Sequence, residues 1–370
     1  MSRPLPLLDA TRISRPAGEL RPPLVEIAGT GLHLAGPVAS DFVVAGDVLV
    51  AAFSDGSLRG FEVAALGELW AVPLPGGAIP SRFNGAPMVV DGALVLQSAG
   101  HWQRRAPATG DLLGAYQAPA LSLRRGVALG GDVLACWWQD DGARMGRLDA
   151  ASGAMHWEHT ITGTANGILA VSGEVAALAI SNTCLAGFEV ASGVERWRRD
   201  VSDIGVEVGP FAPPTGLIAG WPVVVSGLFL LPVQAGNWLG IDPDSGEIHW
   251  RSDIGVKQPG VAARIDGHVV TLGEAFAAAL DSATGEVIWA SEFDDPGRGN
   301  YGAPLVSGGH VWAVGARDGR ILAFDVKARG PGWYGPFGDL TPPDRPPLIL
   351  RDRLITADDA GRVRVFASAP

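Results

Sequence analysis

Residues of the kinds that bind and protonate small molecules occur at widely spaced points of the chain. Arginine binds carboxylates or phosphates, glutamate and histidine exchange protons, and tyrosine donates a hydrogen bond, so such groups could serve a lyase, isomerase or cyclase. Their spacing matches no phosphate-binding glycine loop, histidine metal motif or nucleophile elbow. An enzyme would need a fold that brings these residues together at one opening. The candidates are Arg82, His101, Arg124, Glu207, Arg298 and Tyr301.

Other reactive side chains are weaker candidates for catalysis or metal binding. Asp294 and Asp295 could act as general acid and base, but the Pro-Gly pair that follows them favours a turn. Glu207 is the better candidate for a functional carboxylate. Cys136 and Cys184 lie far apart, in no metal-ligand spacing, and are predicted to be small buried residues. We therefore expect no metal and no cofactor.

A second group of residues is suited to binding a protein. Tryptophans at 102, 137, 138 and 238 fall in segments that the sequence predicts to be short turns, where no strand requires them. Tryptophan and arginine are favoured anchors of interfaces; the alternative is that these tryptophans cap the core. The predicted partner- or ligand-binding residues are Arg82, Asn84, His101, Trp102, Arg124, Trp138, Gln139, Glu207, Trp238, Lys257, Arg298, Asn300 and Tyr301.

The strands and turns that must position these residues occur as repeats along the chain. A ten-residue phrase recurs in which an apolar–acidic pair precedes a glycine and a tryptophan. Glycine permits positive φ, and Asp, Ser or Thr can accept bonds from turn amides, so each phrase predicts a turn between two strands. A degraded copy, RAPATGDLLG (105–114), has lost the acid and the tryptophan. The copies are FEVAALGELW (61–70), LDAASGAMHW (148–157), FEVASGVERW (188–197), IDPDSGEIHW (241–250), LDSATGEVIW (280–289) and FDVKARGPGW (324–333).

Upstream of each phrase, a two-residue turn separates apolar runs, as at Asp91-Gly92 and Gly308-Gly309, and eight such hairpins occur. Four strands in a unit of about 40–45 residues are typical of a propeller blade. We predict an all-β chain, with 1–370 as a single eight-bladed β-propeller domain of four-stranded antiparallel blades; seven blades is the alternative. The last unit has only three strands, and we predict that the N-terminal segment 1–28 supplies its fourth strand.

The phrase resembles the tryptophan-docking motif of the pyrroloquinoline-quinone-like repeat propellers, and the resemblance covers essentially the whole chain. It implies that the tryptophan packs between neighbouring blades, and that His156 and His249, which precede two of them, are solvated surface residues. The chain is similar in repeat to outer-membrane-protein assembly lipoproteins. Quinone-dependent dehydrogenases share the blade motif, but this chain lacks their vicinal cysteine pair. The implied docking residues are Trp70, Trp157, Trp197, Trp250, Trp289 and Trp333.

Two sets of loops share one face of such a propeller, which we call the loop-rich face: the connections between blades, and the turns between strands two and three of each blade. Function commonly resides in such variable loops. The connections are 75–87, 117–126, 160–167, 202–216, 252–260, 291–304 and 335–347, and the turns are 98–105, 137–144, 180–184, 233–240 and 315–320.

The composition limits the kinds of ligand and the compartment that we expect. The formal net charge of −11 argues against a nucleic-acid ligand. Segment 219–236 is apolar, but its prolines and central Ser-Gly pair predict two buried strands and no membrane span. The N-terminus shows no apolar signal core, so we expect a cytoplasmic protein. We expect a non-catalytic propeller scaffold that binds a protein partner through the loop-rich face; the alternative is an enzyme acting on a small molecule at the axial mouth.

Overall fold

The apolar hairpins of the repeat form strands, and each of the 32 strands in the described residues lies in a four-stranded antiparallel sheet. The structure is a computed structural model that describes residues 19–77, 87–98, 101–117, 126–139, 142–163, 165–204, 217–218, 220, 222–234, 236–254, 262–265, 268–273, 275–294, 304–315, 320–335, 347–357 and 360–369. Eight such sheets occur in the described ranges. They are the blades of an eight-bladed β-propeller, so the eight-blade prediction is confirmed and the seven-blade alternative is wrong.

The chain divides into two compact units. The first unit contains blades 8, 1 and 2 and most of blade 3. Within it, neighbouring blades bury a shared apolar core, as where Phe53 and Phe61 of blade 1 meet Val365 of blade 8. Its strands are β1 (Leu24–Glu26), β2 (Val43–Ala45), β3 (Val48–Ala52), β4 (Ser57–Glu62) and β5 (Glu68–Pro73); β6 (Met88–Val90), β7 (Ala93–Ser98), β8 (His101–Arg105) and β9 (Leu112–Gln117); and β10 (Val127–Leu129), β11 (Asp132–Gln139), β12 (Gly142–Asp149) and β13 (Met155–Ile161).

The second unit contains blades 4 to 7, and each neighbouring pair again shares a core. Its strands are β14 (Ala165–Ser172), β15 (Val175–Ile180), β16 (Cys184–Glu189) and β17 (Glu195–Asp200); β18 (Val223–Val225), β19 (Leu228–Val233), β20 (Asn237–Ile241) and β21 (Ile248–Asp253); β22 (Ala262–Ile265), β23 (His268–Gly273), β24 (Phe276–Asp281) and β25 (Val287–Glu292); and β26 (Leu305–Ser307), β27 (His310–Val314), β28 (Ile321–Asp325) and β29 (Gly330–Gly335).

Blade 8 combines both ends of the chain. β30 (Leu348–Leu350), β31 (Arg353–Ala357) and β32 (Val363–Ser368) form three of its strands, and β1 pairs antiparallel with β32. Leu24 lies opposite Ser368 and Glu26 opposite Phe366. The prediction that the N-terminal segment completes the last blade is confirmed. The only helix in the described ranges is the short α1 (Gly31–Leu34), which follows β1.

The apolar segment 219–236 forms the predicted hairpin. Ser226 and Gly227 occupy the turn between β18 and β19 with φ of +52° and +81°. β19 is buried along most of its length. Across the described ranges, no helix has the length and the apolar character that crossing a bilayer requires.

Candidate functional site

The structure gives side-chain positions for three of the thirteen predicted binding residues: His101, Trp102 and Trp238. Trp138 and Gln139 lie at the end of β11. Arg82, Asn84, Arg124, Glu207, Lys257, Arg298, Asn300 and Tyr301 lie outside the described residues. The predicted gathering of the enzyme candidates at one mouth therefore stays a prediction.

The tryptophans expected in turns lie instead in strands. Trp102 is the second residue of β8 and is fully buried. Trp238 is the second residue of β20 and is 1% exposed, and Trp137 lies within β11 and is 2% exposed. The interpretation of these residues as exposed turn aromatics is corrected, because each turn is shorter than the sequence suggests. Trp102 and Trp137 belong to the core between blades 2 and 3, and Trp238 belongs to the core between blades 5 and 6.

Trp102 spans the junction between two blades. It lies in a cluster with Val95 of its own blade and with Val133 and Trp137 of blade 3. Its Nε1 donates to the backbone carbonyl of Ala150 at 3.4 Å, a long hydrogen bond. A buried tryptophan usually finds such a partner, so the indole is held on both its apolar and its polar side.

His101 sits directly above this core. It is exposed, begins β8, and lies opposite Ser98 of β7 and Gln117 of β9. The Ser98 hydroxyl donates to the carbonyl of Pro75 at 2.7 Å, which ties the connection between blades 1 and 2 to the same edge. A solvent-facing imidazole on a rigid strand end can accept or donate a hydrogen bond to a partner.

The repeated acid serves the turn. Asp242 Oδ1 accepts hydrogen bonds from the backbone N–H of Ser245 at 2.8 Å and from its hydroxyl at 2.8 Å. Asp281 accepts the same pair of bonds from Thr284. These bonds, first from the backbone, lower the pKa of both carboxyl groups below the usual range. Both carboxyl groups are therefore ionised and hold the turn. A general acid must carry a proton, so these groups are unsuited to that role.

Tryptophans of the phrase contact the following blade at several junctions. Nε1 of Trp70 donates to the carbonyl of Pro107 at 2.9 Å, and Nε1 of Trp197 donates to that of Pro243 at 2.7 Å. Blade 2 has no tryptophan at this position. There, Tyr116 contacts the blade 3 turn: a Cβ on Gly153 would lie 3.0 Å from that of Tyr116.

Comparison of the sequence with protein families gives one match. A family model described as Outer membrane protein assembly factor BamB matches residues 102–250 and 234–366. The chain belongs to this family. A comparison with curated proteins finds no significant match.

Solved structures that are similar to this BamB-family chain include BamB itself and a WD40 domain. BamB from Moraxella catarrhalis is 15% identical, with a TM-score of 0.65 over 94% of this chain and 99% of that one. Sqt1 from Saccharomyces cerevisiae is 10% identical, with a TM-score of 0.64 over 90% and 96% of the two chains. The C-terminal WD40 domain of Sif2 is 11% identical, with a TM-score of 0.63 over 95% and 99%. Identities this low support the fold alone.

The BamB-family repeat also carries a charge group that the sequence did not single out. Asp132, Asp149 and His156 bring their ligand atoms within 4.8 Å of one another, as a metal site would. However, Arg147 contacts the Asp132 carboxylate at 2.5 Å, and His156 Nε2 lies 3.0 Å from its other oxygen. Since the Arg147 guanidinium already compensates Asp132, the arrangement is a cross-strand polar group and does not fit a cation well. His156 is a surface residue with a carboxylate partner.

An equivalent group occurs in blade 4. Arg196, which precedes the phrase tryptophan, lies 2.9 Å from Glu189 of β16 and 3.6 Å from Glu174 in the turn before β15. It also reaches Asp244 in the turn of blade 5, at 3.5 Å. The residue before the tryptophan therefore sits where it can touch the next blade. Adjacent strands in one register explain the recurrence, because their charged positions lie side by side.

The remaining reactive residues are poor candidates for catalysis. Cys136 is buried as predicted, whereas Cys184 is only half-buried. Burial raises the pKa of the Cys184 thiol, which lowers its thiolate fraction and its nucleophilicity. The carbonyl of Asp294 accepts a hydrogen bond from Tyr334 at 2.8 Å, so its backbone has a structural role, and Asp295 lies outside the described residues.

Proposed function

We propose that this chain is a non-catalytic propeller scaffold that binds a protein partner through its loop-rich face. The observation that carries the proposal is the burial of a tryptophan near the start of two strands, one in each unit. Trp102 and Trp238 are the second residues of β8 and β20 and are fully or almost fully buried. Strand ends locked in this way present variable loops from a rigid base, which is the arrangement expected of a binding scaffold.

The family supports a protein ligand. Its model is described as an outer membrane protein assembly factor, and a factor in protein assembly acts on proteins. The turn carboxylates support the absence of acid–base chemistry at the repeats, because hydrogen bonds keep Asp242 and Asp281 ionised. His101 is the exposed residue of the predicted set from which binding can be tested directly.

Charge reversal on the two faces tests the proposal. The double variant His101→Glu/Lys257→Glu alters the loop-rich face, and the control Arg21→Glu/Lys327→Glu alters exposed basic residues elsewhere. Each protein is used to capture partners from a lysate of the native host, with thermal melting to confirm folding. We expect the first variant to lose a protein that wild type and control both retain. Equal recovery by all three would contradict binding through this face.

A further inference from the structure

Large apolar side chains are exposed on several outer strands, including Val287 and Ile288 of β25, and three leucines are exposed on two neighbouring blades. Leu69 of β5 is 54% exposed, and Leu112 and Leu113 of β9 are 53% and 54% exposed. These three residues, which we call the leucine patch, belong to neighbouring blades 1 and 2. A single exposed leucine is ordinary, but neighbouring ones mark interaction sites.

Comparison with the equivalent positions of blade 4 indicates that Leu69 and Leu112 lie close together. Leu69 precedes Trp70 as Arg196 precedes Trp197, and Arg196 reaches the turn of the following blade at 3.5 Å. Trp70 itself holds the corresponding turn of blade 2, through its bond to Pro107. β9 begins two residues after that turn's Gly110. Leu69 and Leu112 therefore flank one and the same inter-blade contact.

The same positions are charged in blade 4. Leu112 and Leu113 correspond to Glu195 and Arg196, and Arg196 forms ion pairs there with Glu189. The fold thus accepts charged residues at these sites and does not require leucine. The leucines are about half exposed, so burying the rest of their apolar surface against a partner would be favourable.

The negative charge of blades 1 and 2 indicates what kind of partner segment the leucine patch would bind. The described parts of residues 43–117, which form blades 1 and 2, contain six exposed carboxylates and three arginines, none of them exposed, a net charge of −3. Arg59 pairs with Asp55 and Glu68, which leaves the other four carboxylates to attract a basic segment. A second copy of this chain would bring like charges together, on a protein whose formal net charge is already −11. Basic residues beside apolar ones would instead be attracted. The carboxylates are Asp47, Asp55, Glu62, Glu68, Asp91 and Asp111, and the arginines are Arg59, Arg104 and Arg105.

We propose that the leucine patch is a second docking surface, which binds a short apolar segment of a partner protein flanked by Lys or Arg. The inference rests on the proposed function to the extent that the ligand is a protein. It differs in location, because the patch lies on the outer strands and not on the loops. Apolar burial provides the binding energy, and the carboxylates orient the basic flanks.

Site-specific photocrosslinking tests the proposal. The photoreactive residue p-benzoylphenylalanine replaces Leu69, Leu113, Val194 or His101, one at a time, in the full chain expressed in its native host. Val194 is the matched control, since it is 55% exposed but lies beside Glu195 and Arg196. Irradiated products are digested, and the crosslinked partner segment is identified by mass spectrometry. Melting temperatures equal to that of wild type confirm that each variant is folded.

We expect positions 69 and 113 to give several-fold more product than position 194, and both to map to an apolar segment with adjacent Lys or Arg. The yield should fall when salt rises from about 0.1 M to about 1 M, which shortens the screening length from about 10 Å to about 3 Å. Product no greater than at Val194, a crosslinked dimer of this chain, or a partner segment without basic residues would each overturn the proposal. Product from His101 alone would overturn the leucine patch and leave the loop-rich face standing.

Discussion

Replacing Trp102 with alanine should destabilise the junction between blades 2 and 3, and it should do so whether or not a partner is present. The indole is fully buried and packs between Val95 of its own blade and Val133 of the next. Alanine would leave a cavity between the two sheets, and the carbonyl of Ala150 would lose its donor. Both effects act on folding and need no ligand.

The size of the effect follows from buried area. A tryptophan buries about 150–250 Å², which at about 25 cal/mol per Å² corresponds to about 4–6 kcal/mol. Because the unfolded chain already shields part of this surface, the value falls by about 10–40%, to about 2–5 kcal/mol. Measured substitutions of buried tryptophan by alanine give about 3–5 kcal/mol, the upper part of this range. A typical domain has a total stability of only about 5–15 kcal/mol, so the loss is large.

Urea unfolding followed by circular dichroism measures this loss. Trp102→Ala should unfold at a much lower urea concentration than wild type, and Trp102→Phe at an intermediate one. Leu113→Ala is the control, because it removes an exposed side chain and should change the free energy of unfolding by no more than about 0.5 kcal/mol. If Trp102→Ala unfolded at the wild-type midpoint with an unchanged slope, the burial argument would be refuted. Trp102 would then return to the list of surface anchors.

Three further predictions follow from particular contacts. Deleting residues 1–28 removes β1 from β32 and should lower the melting temperature sharply; an unchanged value would contradict the pairing. Gly246→Ala should lower the free energy of unfolding more than Gly227→Ala. Both glycines have positive φ, +70° and +81°, but a Cβ at Gly246 would lie 2.4 Å from the Trp197 ring, whereas a Cβ at Gly227 would meet no atom within 4 Å. Equal losses of stability would argue against the contact with Trp197. The lowered pKa of Asp242 means that its ionised form stabilises the fold above the usual Asp pKa of about 3.9 and that this contribution is lost as the pH falls through the lowered value. Asp242→Asn should therefore melt below wild type at pH 7 and together with it in strong acid.

The number of blades could be predicted from the sequence because its signals are local. A two-residue turn such as Asp91-Gly92 requires positive φ, and the structure gives φ of +46° and +71° there. Alternating apolar residues then identify the strands on either side of the turn. The missing fourth strand of blade 8 also followed from counting, although counting did not show where within residues 1–28 the strand begins, which is at Leu24.

The burial of Trp102 and Trp238 could not be predicted in the same way. Successive residues of a strand point to opposite faces, so a strand that starts at His101 turns Trp102 into the core, and a start two residues later would leave it in the turn. Composition does not place a strand boundary to within one residue. The connections between blades follow no period at all, because nothing in the sheet constrains their residues.

The departures from the repeat separate residues that the fold requires from residues that it merely tolerates. At the turn position where most copies have glycine with positive φ, blades 1 and 7 have Leu66 and Arg329, with φ of +56° and +57°. A side chain in this conformation costs about 1–2 kcal/mol, and the blades keep the same turn, so the packing around it determines the backbone. Leu66 is also fully buried in the core between blades 8 and 1, which offsets the strain. Leu113 has no such compensation, because it is exposed where blade 4 has an arginine in an ion pair. Because the fold accepts an arginine at this position, leucine is not required there and its exposed surface is available to a partner, and this is why the leucine patch, and not the repeated phrase, should be examined for a partner.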